Sequence, residues 1–482
     1  MPLPVSARVA VIGAGPGGIT TAKHALEAGF DVTVFEASDR IGGQWYTTAE
    51  HSGVWPGMRT NTSRAMTAFS DFPSSPDFAL HPLAEQICDY LTEYAAAHGV
   101  TDRVALGSPV HSVEPAGEGW SVDGQPFDAV VIASGRFRRP VVPPGLGGFT
   151  GELVHTYDYP GNEAYRGRRV LVYGNGVSGH EVSSDVADVE QVVSAYRKPR
   201  YVLQKVVNGV PSDGQWYTYV AALQRSLLPR EELGRRLTER VVAVAGNPRD
   251  FGAPAPHPDI LVAGHSLAQN WLEQVRAGRI VCRPGIAGVE GRTVTFTDGS
   301  REAVDVILCA TGYAVDIPYL PEKVWRLLGP QLNLHLRTFH PDLPGLAFVG
   351  QFALQGPYLP LLELQARLVA HVWSGAVAEP EKAVMRASVA AVPPPVDAHH
   401  VLAVELSRAA GVAPDLRAHP ELAEPLLFGP MLPARYRFDG PGARTDAATE
   451  LTAQLDATPR APVDPSDLAD LPRLGIETSS TS

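Results

Sequence analysis

Short apolar runs that end in glycine recur along the chain and predict buried parallel strands. The first run covers residues 8–13, and the next, DVTVFE, covers residues 31–36. Between them, residues 16–28 place Ile19, Ala22 and Leu26 on one helical face, and a glycine follows as the stop signal. The chain therefore begins with a predicted strand–helix–strand unit.

The same pattern returns further along the chain, where predicted strands over 168–174 and 189–197 flank a predicted helix over 178–187. Further strands and a closing helix are predicted from similar runs: the strands over 129–135, 305–312 and 346–352, and the helix over 359–375. This alternation of strands and helices predicts the α/β class, built on parallel sheets.

The loop after the first strand reads GAGPGG and satisfies the pattern G-x-G-x-x-G. Its glycines are Gly13, Gly15, Gly17 and Gly18. Gly13 permits the tight turn, Gly15 lets the backbone approach a pyrophosphate, and Gly18 lets the helix pack on the strand. Glu36 ends the second strand, 23 residues after Gly13, where a carboxylate accepts hydrogen bonds from ribose hydroxyls. The motif predicts a dinucleotide site, and the alternative is a glycine-rich structural turn.

The second copy reads GNGVSG and starts 23 residues before Arg197, which is predicted to end the next strand. The residues of this copy that we expect at a second nucleotide are Gly174, Gly176, Ser178 and Gly179. Here the strand end is basic, because Lys198 follows Arg197, and a basic end suits a 2′-phosphate that an acid would repel. The first site therefore suits FAD and the second suits NADPH, which makes two Rossmann-like domains. The alternative is that Arg197 merely ends a strand.

Composition narrows the class of protein. The chain has 482 residues and a net charge of -12, which disfavours nucleic-acid partners and anionic membranes. Its three cysteines form no Cys-x-x-Cys pair, so we expect no disulfide reductase, no metal site and a reducing, cytoplasmic location. No apolar stretch approaches the ~18 residues of a membrane span, and no signal peptide is evident.

The motif between the two glycine loops resembles that of the class B flavin-containing monooxygenases. Its marker is FTGELVHTYDY, with Phe149, Gly151, His155 and Tyr159 at the positions that define it. The related Baeyer–Villiger enzymes typically carry Trp at the last position, so Tyr159 favours the branch that oxygenates nitrogen and sulfur. In that family the motif histidine is linked to the hinge between domains, and the resemblance implies the same for His155.

Further motifs of that family follow in its order, over residues 8–375. RIGGQW from residue 40 resembles the flavin-contacting R-x-G-G-x-W, TNTS from residue 60 begins a stretch like N-x-S…F-x-D-x-P, and ATGY and E-x-Q-A-R follow at 310 and 363. The cofactor contacts expected from these stretches and from the glycine ends of two apolar strands are Arg40, Gly43, Gln44, Trp45, Thr62, Gly135, Gly350 and Gln351.

The resemblance implies a monooxygenase that uses FAD, NADPH and O₂. Reduced flavin would form a 4a-hydroperoxyflavin that oxygenates a small soft nucleophile, an amine nitrogen or a sulfide sulfur. Asn61 matches the family asparagine beside the flavin, although asparagine is also a common turn residue. The alternatives are a Baeyer–Villiger enzyme acting on a ketone, an uncoupled NADPH oxidase and a non-catalytic redox sensor.

The predicted organisation is an FAD domain over 1–150 and 325–440, an NADPH domain inserted at 151–324, and a loosely ordered tail over 441–482, rich in Pro, Ala and Asp. The sequence leaves the oligomeric state undetermined, with a homodimer as one alternative. Residues 200–260 show no recognisable pattern and are candidates for substrate access. Ser266 lies in a strand–GHSLA–helix stretch like an esterase elbow, but we interpret it as a helix N-cap. His399 and His400 are interpreted as loop residues without a metal.

Overall fold

A computed structural model describes residues 2–47, 52–391, 393–474 and 476. Its first parallel sheet, here called the N-terminal sheet, has five strands. In spatial order these are Leu346–Phe348, Ala129–Ile132, Arg8–Ile12, Asp31–Phe35 and Val104–Ala105. Val9 and Val11 pack on one face, and Ala10 and Ile12 pack on the other. Both faces are buried, which is why the central strand is apolar without alternation.

A second parallel sheet, the inserted sheet, is built from the middle of the chain. In spatial order its strands are Ile280–Arg283, Gln191–Ala195, Arg169–Tyr173, Val306–Cys309 and Glu152–His155. The chain leaves the N-terminal sheet after residue 132 and returns to it at residue 346. The two crossing segments pair as short antiparallel strands, Arg139–Pro140 with Tyr313–Ala314. The α/β class with two parallel sheets is confirmed, and the domain boundaries stay predictions.

Helices cover both sheets and build the rest of the body. They are Pro16–Glu27, Ala84–Ala97, Val177–Asp185, Asp213–Trp216, Tyr219–Leu227, Arg230–Ala245, Ile260–Ala263, Trp271–Arg276, Glu322–Leu328, Leu359–Ser374, Lys382–Ala390, His399–Ala409, Ala423–Phe428, Ala447–Asp456 and Pro465–Asp470. Across the described ranges, no helix has both the length and the apolar character that crossing a bilayer requires.

Small sheets complete the structure. Two have three antiparallel strands: Val113–Ala116, Gly119–Val122 and Gln125–Phe127 form one, and Ile286–Glu290, Thr293–Phe296 and Arg301–Ala303 form the other. Three strand pairs remain: Tyr201–Leu203 with His265–Leu267, Val206–Val207 with Val210–Pro211, and Leu354–Gln355 with Asp397–Ala398.

Three local predictions outside the two parallel sheets are wrong. Residues Ile260–Ala263 form a helical turn instead of a strand, because the Asp259 carboxylate accepts the Leu261 amide and caps it. Ser266 is consequently a strand residue and not an N-cap. His399 and His400 begin a helix and are buried, so they are not loop residues. Within the described residues, no group of three or more potential metal ligands comes together.

A buried network of charged side chains ties four distant segments together. The Glu363 carboxylate, on the helix Leu359–Ser374, accepts hydrogen bonds from the Arg437 guanidinium at 2.9 Å and from the Ser70 amide at 2.7 Å. The Asp71 carboxylate accepts hydrogen bonds from the Arg437 guanidinium at 2.8 Å and from the Lys23 ammonium at 2.7 Å. Burial by itself would raise the pKa of Glu363, but the charge of Arg437 and the contact with His24 outweigh it, so this pKa lies well below its usual range.

The tail expectation is wrong for the residues that the structure describes. Leu451, Leu455, Leu471 and Leu474 are buried. Asp470 is 2% exposed and accepts hydrogen bonds from Gln224 at 2.9 Å and from Arg236 at 2.7 Å. Composition emphasised Pro, Ala and Asp, whereas Leu451 and Leu455 pack with Leu426 and Leu432, and Leu471 and Asp470 join the tail to the helices of residues 219–245. Residues 477–482 lie outside the described ranges.

The tail should therefore contribute measurably to stability. Leu471→Ala should lower the free energy of unfolding by about 2–5 kcal/mol, because it removes buried methyl groups and leaves a cavity. Leu468 is 49% exposed one turn earlier, and Leu468→Ala is the matched control, expected within about 0.5 kcal/mol of the parent. Denaturant unfolding of the FAD-loaded proteins measures both. Equal stabilities for the two variants would contradict the packing of the tail.

Candidate functional site

The first glycine loop forms a cradle at the carboxyl end of the N-terminal sheet. Gly13 has a φ of +103°, and a Cβ there would lie 2.7 Å from the Ala133 carbonyl oxygen. A side chain at Gly18 would overlap the Gly13 carbonyl. The helix Pro16–Glu27 starts at Gly15 with no side-chain cap and no acid in its first turn. Its first amides and positive end are therefore available to an anion such as a pyrophosphate.

Glu36 lies directly beside this cradle, at the end of the neighbouring strand. Its carboxylate accepts the Ala14 amide at 2.6 Å and the Ser38 amide at 2.9 Å. The side chain is buried. The structure thus places the acid at the glycine loop, where the sequence had placed it, and its predicted contact with a ribose stays a prediction.

The second stretch of glycines touches the first. A Cβ on Gly43 would lie 2.7 Å from the Gly15 Cα, so the two loops need glycine to pack together. Trp45 follows and keeps a buried indole N–H without an acceptor among the described residues. Arg40 and Gln44 point elsewhere. The Arg40 guanidinium pairs with Asp89 at 2.6 Å on the surface, and the Gln44 side chain is exposed, so the structure does not bring these two into the cradle.

Two further strand ends complete this edge of the sheet. The Gln351 amide nitrogen donates to the Gly135 carbonyl at 3.3 Å, while its amide oxygen is buried with no partner in the described part of the chain. Gly350 has a φ of +75°, and its amide donates to Gln365 at 2.9 Å. Gly17 faces Val349, whose Cγ1 would lie 3.1 Å from a Cβ on the glycine. The expected residues of both strand ends are thus close to the cradle.

The Asn61 amide oxygen is buried and has no partner within the described ranges, and the loop that carries Asn61 is held by a distant segment. The Ser63 amide donates to Asp213 at 2.5 Å, across 150 residues. Asp213 is 5% exposed, and burial raises its pKa to about 6 despite the hydrogen bonds from Ser63. The Thr62 hydroxyl, expected at the cofactor, instead lies 2.7 Å from the Thr67 hydroxyl.

Asp213 is the site residue that the sequence did not reveal. It lies in the unpatterned stretch 200–260, and no motif surrounds it. Burial of its carboxylate against Ser63 arises only when the chain brings these segments together. Three polar atoms of residues expected at the flavin are buried without partners in the described part of the chain: Asn61 Oδ1, Trp45 Nε1 and Gln351 Oε1. A polar, planar cofactor with a pyrophosphate tail such as FAD fits this set.

The second glycine loop repeats the geometry of the first. Gly174 has a φ of +128°, and side chains at Gly174 and Gly179 would overlap the carbonyls of Ala310 and Gly174 respectively. The helix Val177–Asp185 starts at Gly176 without a side-chain cap or a first-turn acid, and Ser178 lies half-buried in that turn. This end of the inserted sheet therefore also suits a phosphate.

Arg197 and Lys198 lie just beyond the strand that was predicted to end at Arg197. That strand ends at Ala195, so Arg197 is two residues further, in the following turn. Both Arg197 and Lys198 are exposed, and the Lys198 carbonyl accepts a hydrogen bond from Asn175 within the glycine loop. The two positive side chains thus belong to the loop region itself, where a 2′-phosphate would need them.

The motif between the loops lies where the two crossing segments meet. The His155 ring contacts Tyr313 at 5.2 Å between centroids, and its Nδ1 accepts the Tyr157 amide at 3.0 Å. Burial lowers the pKa of His155. Tyr159 donates to Asp185 at 2.6 Å, at the end of the helix Val177–Asp185.

The other two members of the motif pack behind these aromatic residues. Phe149 packs in the core of the inserted sheet, and a side chain at Gly151 would press on the Phe149 ring at 2.5 Å. The motif thus packs the inserted sheet against a crossing strand, and its predicted role at a hinge stays a prediction.

Comparison with known proteins agrees with this architecture. A family model described as "FMO-like: Flavin-binding monooxygenase-like" matches residues 6–465. Dimethylaniline monooxygenase [N-oxide-forming] 2 of Rattus norvegicus is 29% identical over 93% of this chain and 91% of its own length. Flavin-containing monooxygenase 5 of Homo sapiens is 27% identical, over 95% and 93%.

Solved structures show the same fold. The S-allyl-L-cysteine S-oxygenase of Allium sativum aligns with a TM-score of 0.62 at 23% identity, over 93% of this chain and 98% of that one. An open structure of cyclohexanone monooxygenase aligns with a TM-score of 0.63 at 17% identity, over 86% and 98%. The chain belongs to the flavin-binding monooxygenase-like family, whose members bind FAD and use NADPH, and it is an FAD-dependent monooxygenase.

Proposed function

We propose that this enzyme uses NADPH and O₂ to add one oxygen atom to a small soft nucleophile, either an amine nitrogen or a sulfide sulfur. The observation that carries the proposal is the Asn61 side chain, whose amide oxygen is buried without a partner among the described residues. Relatives named for N-oxide formation and a structural neighbour named as an S-oxygenase support the choice of nucleophile.

The chain's residues divide the work between two sites. When bound, FAD takes electrons from NADPH and activates O₂, which is chemistry that the cofactor supplies. The cradle around Gly13 and Gly18 holds the first pyrophosphate, and the loop around Gly174 holds the second. The Asn61 amide nitrogen would donate a hydrogen bond without supplying an acidic proton, and such a donor would stabilise activated oxygen without releasing it as hydrogen peroxide.

Product analysis tests this proposal directly. The FAD-loaded enzyme is incubated with NADPH, O₂ and one member of a panel: a tertiary amine, a thioether or a cyclic ketone. An N-oxide or a sulfoxide supports the proposal. A lactone from the ketone alone would identify a Baeyer–Villiger enzyme, NADPH consumption with hydrogen peroxide only would identify an oxidase, and no NADPH consumption would identify a redox sensor.

Cofactor preference should depend on Arg197. Arg197→Ala should lower the ratio of kcat/KM for NADPH to that for NADH by roughly 10- to 150-fold, because it removes a charge-assisted contact with the 2′-phosphate. Arg326, an exposed arginine of the helix Glu322–Leu328, provides the control substitution Arg326→Ala. If the ratio is unchanged in Arg197→Ala, the assignment of the 2′-phosphate to this turn is wrong.

Asn61→Ala should separate the two halves of the reaction. Flavin reduction by NADPH under nitrogen should stay near the parent rate, because reduction does not use the amide. Under O₂, product per NADPH should fall and hydrogen peroxide should rise, since losing one such donor costs on the order of 10²–10³ in the step that it serves. Asn270, exposed and without a capping hydrogen bond, supplies the control Asn270→Ala. Unchanged coupling in Asn61→Ala would reduce Asn61 to a turn residue.

Asp213 is proposed as a positioning residue that acts through Ser63 on Asn61. Asp213→Ala removes the acceptor of the Ser63 amide and should also lower product per NADPH, with FAD content retained. Asp213→Asn keeps an acceptor oxygen at the same place and should restore most of the coupling. Stoichiometry of product, NADPH and hydrogen peroxide in both variants is the measurement. Equal losses in the Ala and Asn variants would show that the carboxylate does more than hold the loop.

A further inference from the structure

The short helix that carries Asp213 is held in place by its neighbours. Asp213–Trp216 is a single helical turn of four residues, here called the Asp213 turn. One turn forms too few hydrogen bonds to be stable by itself, so its position depends on what packs around it. At its start, Asp213 accepts the Ser63 amide at 2.5 Å. A contact that fixes the far end of this turn therefore also helps to fix the Asn61 loop.

Arg240, on the helix Arg230–Ala245, makes such a contact. Its guanidinium donates a hydrogen bond to the Gln215 carbonyl at 3.5 Å. The guanidinium carbon also lies 4.9 Å from the centre of the Trp216 ring, within the range of a cation–π interaction. Carbonyl groups at the C-terminal end of a helix lack partners within the helix and attract positive charge. Arg240 thus meets the C-terminal end of the turn whose first residue is Asp213.

The same guanidinium contacts two carboxylates of the tail. Arg240 Nε lies 3.9 Å from the Asp464 carboxylate, and Arg240 Nη1 lies 3.5 Å from the Asp467 carboxylate. Both acids are themselves held: Asp464 accepts the Ser466 amide at 2.9 Å and caps the helix Pro465–Asp470, and Asp467 accepts the Gln224 amide nitrogen at 2.9 Å. Arg240 therefore joins an ordered part of the tail to the Asp213 turn.

The tail also passes directly beside this turn. A Cβ on Gly214 would lie 4.0 Å from the Pro459 carbonyl oxygen, which is an ordinary van der Waals distance. The Arg240 side chain is 30% exposed, and partly exposed ion pairs contribute little to the stability of a whole protein. The consequence of the Arg240 contacts is therefore expected in the position of one turn, more than in global unfolding.

A neighbouring arginine contacts the tail but not the Asp213 turn. Arg236 lies one helical turn before Arg240 and forms salt bridges with Asp470, at 2.7 Å, and with Glu232. Within the described ranges these two acids are its ionic and hydrogen-bonding partners, and neither belongs to the Asp213 turn. The Arg236 side chain is 28% exposed, almost the same as that of Arg240. The pair thus separates attachment of the tail from contact with the turn.

We propose that Arg240 is a positioning residue for oxygenation: oriented by the acids of the tail, it fixes the Asp213 turn and, through Ser63, the Asn61 loop. This inference rests on the proposed function and extends it, because it makes the tail part of the structure that keeps oxygen transfer coupled to NADPH use. Loosening the turn would misplace the Asn61 amide, and activated oxygen would then be released as hydrogen peroxide. Flavin reduction by NADPH does not use this amide and should be unaffected.

Amide hydrogen exchange tests the positional part without turnover. In the oxidised, FAD-loaded protein, Arg240→Gln should speed exchange in a peptide that contains Ser63 by about 3-fold or more, as expected for losing a partly exposed ion pair and a cation–π contact. Arg240→Lys keeps the positive charge and should restore most of the protection. Arg236→Gln is the matched control, and its Ser63 peptide should exchange at the parent rate. An unchanged Ser63 peptide in Arg240→Gln overturns the inference, and so does equal acceleration in Arg240→Gln and Arg236→Gln, which would indicate general loosening of the tail.

The stoichiometry of turnover tests the functional part. Arg240→Gln should form less oxygenated product per NADPH, with a matching rise in hydrogen peroxide, while its rate of flavin reduction under nitrogen and its FAD content stay at the parent values. Arg236→Gln should remain as coupled as the parent. Oxygenated product from the parent with unchanged coupling in Arg240→Gln would reject this inference and keep the proposed function. Faster exchange of the Ser63 peptide in Arg240→Gln, with no oxygenated product from the parent, would reject the proposed function and keep the contact between Arg240 and the loop.

Discussion

The buried ion network around Glu363 is the interaction on which the geometry of the site depends. Glu363 and Asp71 both form salt bridges with Arg437, and Asp71 forms a second one with Lys23. Lys23 lies on the helix whose first turn forms the glycine cradle, and Asp71 follows the Asn61 loop by ten residues. The network therefore fixes the glycine cradle relative to the loop that carries Asn61. Removing one partner would leave a buried charge uncompensated, which costs on the order of 3–5 kcal/mol.

The two glycine loops share one backbone geometry, and the residues that end their strand–helix–strand units differ in charge. In both, a glycine with positive φ and a first-turn glycine let the helix approach the strand so closely that side chains would overlap carbonyl groups. Glu36 ends the first unit as a buried acid, whereas the second unit ends in the exposed pair Arg197 and Lys198. The same backbone thereby supports two sites of opposite charge preference.

The stretch 200–260 connects these sites. It supplies Asp213 to the Asn61 loop, and its helices bind the tail through Asp470. Arg236, which meets the tail, is balanced by Asp470. The same stretch thus contacts the Asn61 loop at one point and packs the tail at another.

The sequence by itself determined the strand–glycine–helix units, both nucleotide loops and the family motifs, because these depend on neighbours within about 30 residues. Within these motifs the sequence did not predict where two side chains point: the Arg40 guanidinium contacts Asp89, and the Thr62 hydroxyl contacts Thr67. Tertiary structure alone decided that Asp213 meets Ser63, that His400 is buried, and that the leucines of the tail are covered. Each of these depends on segments far apart in the chain, and burial between distant segments leaves no periodic trace in either one.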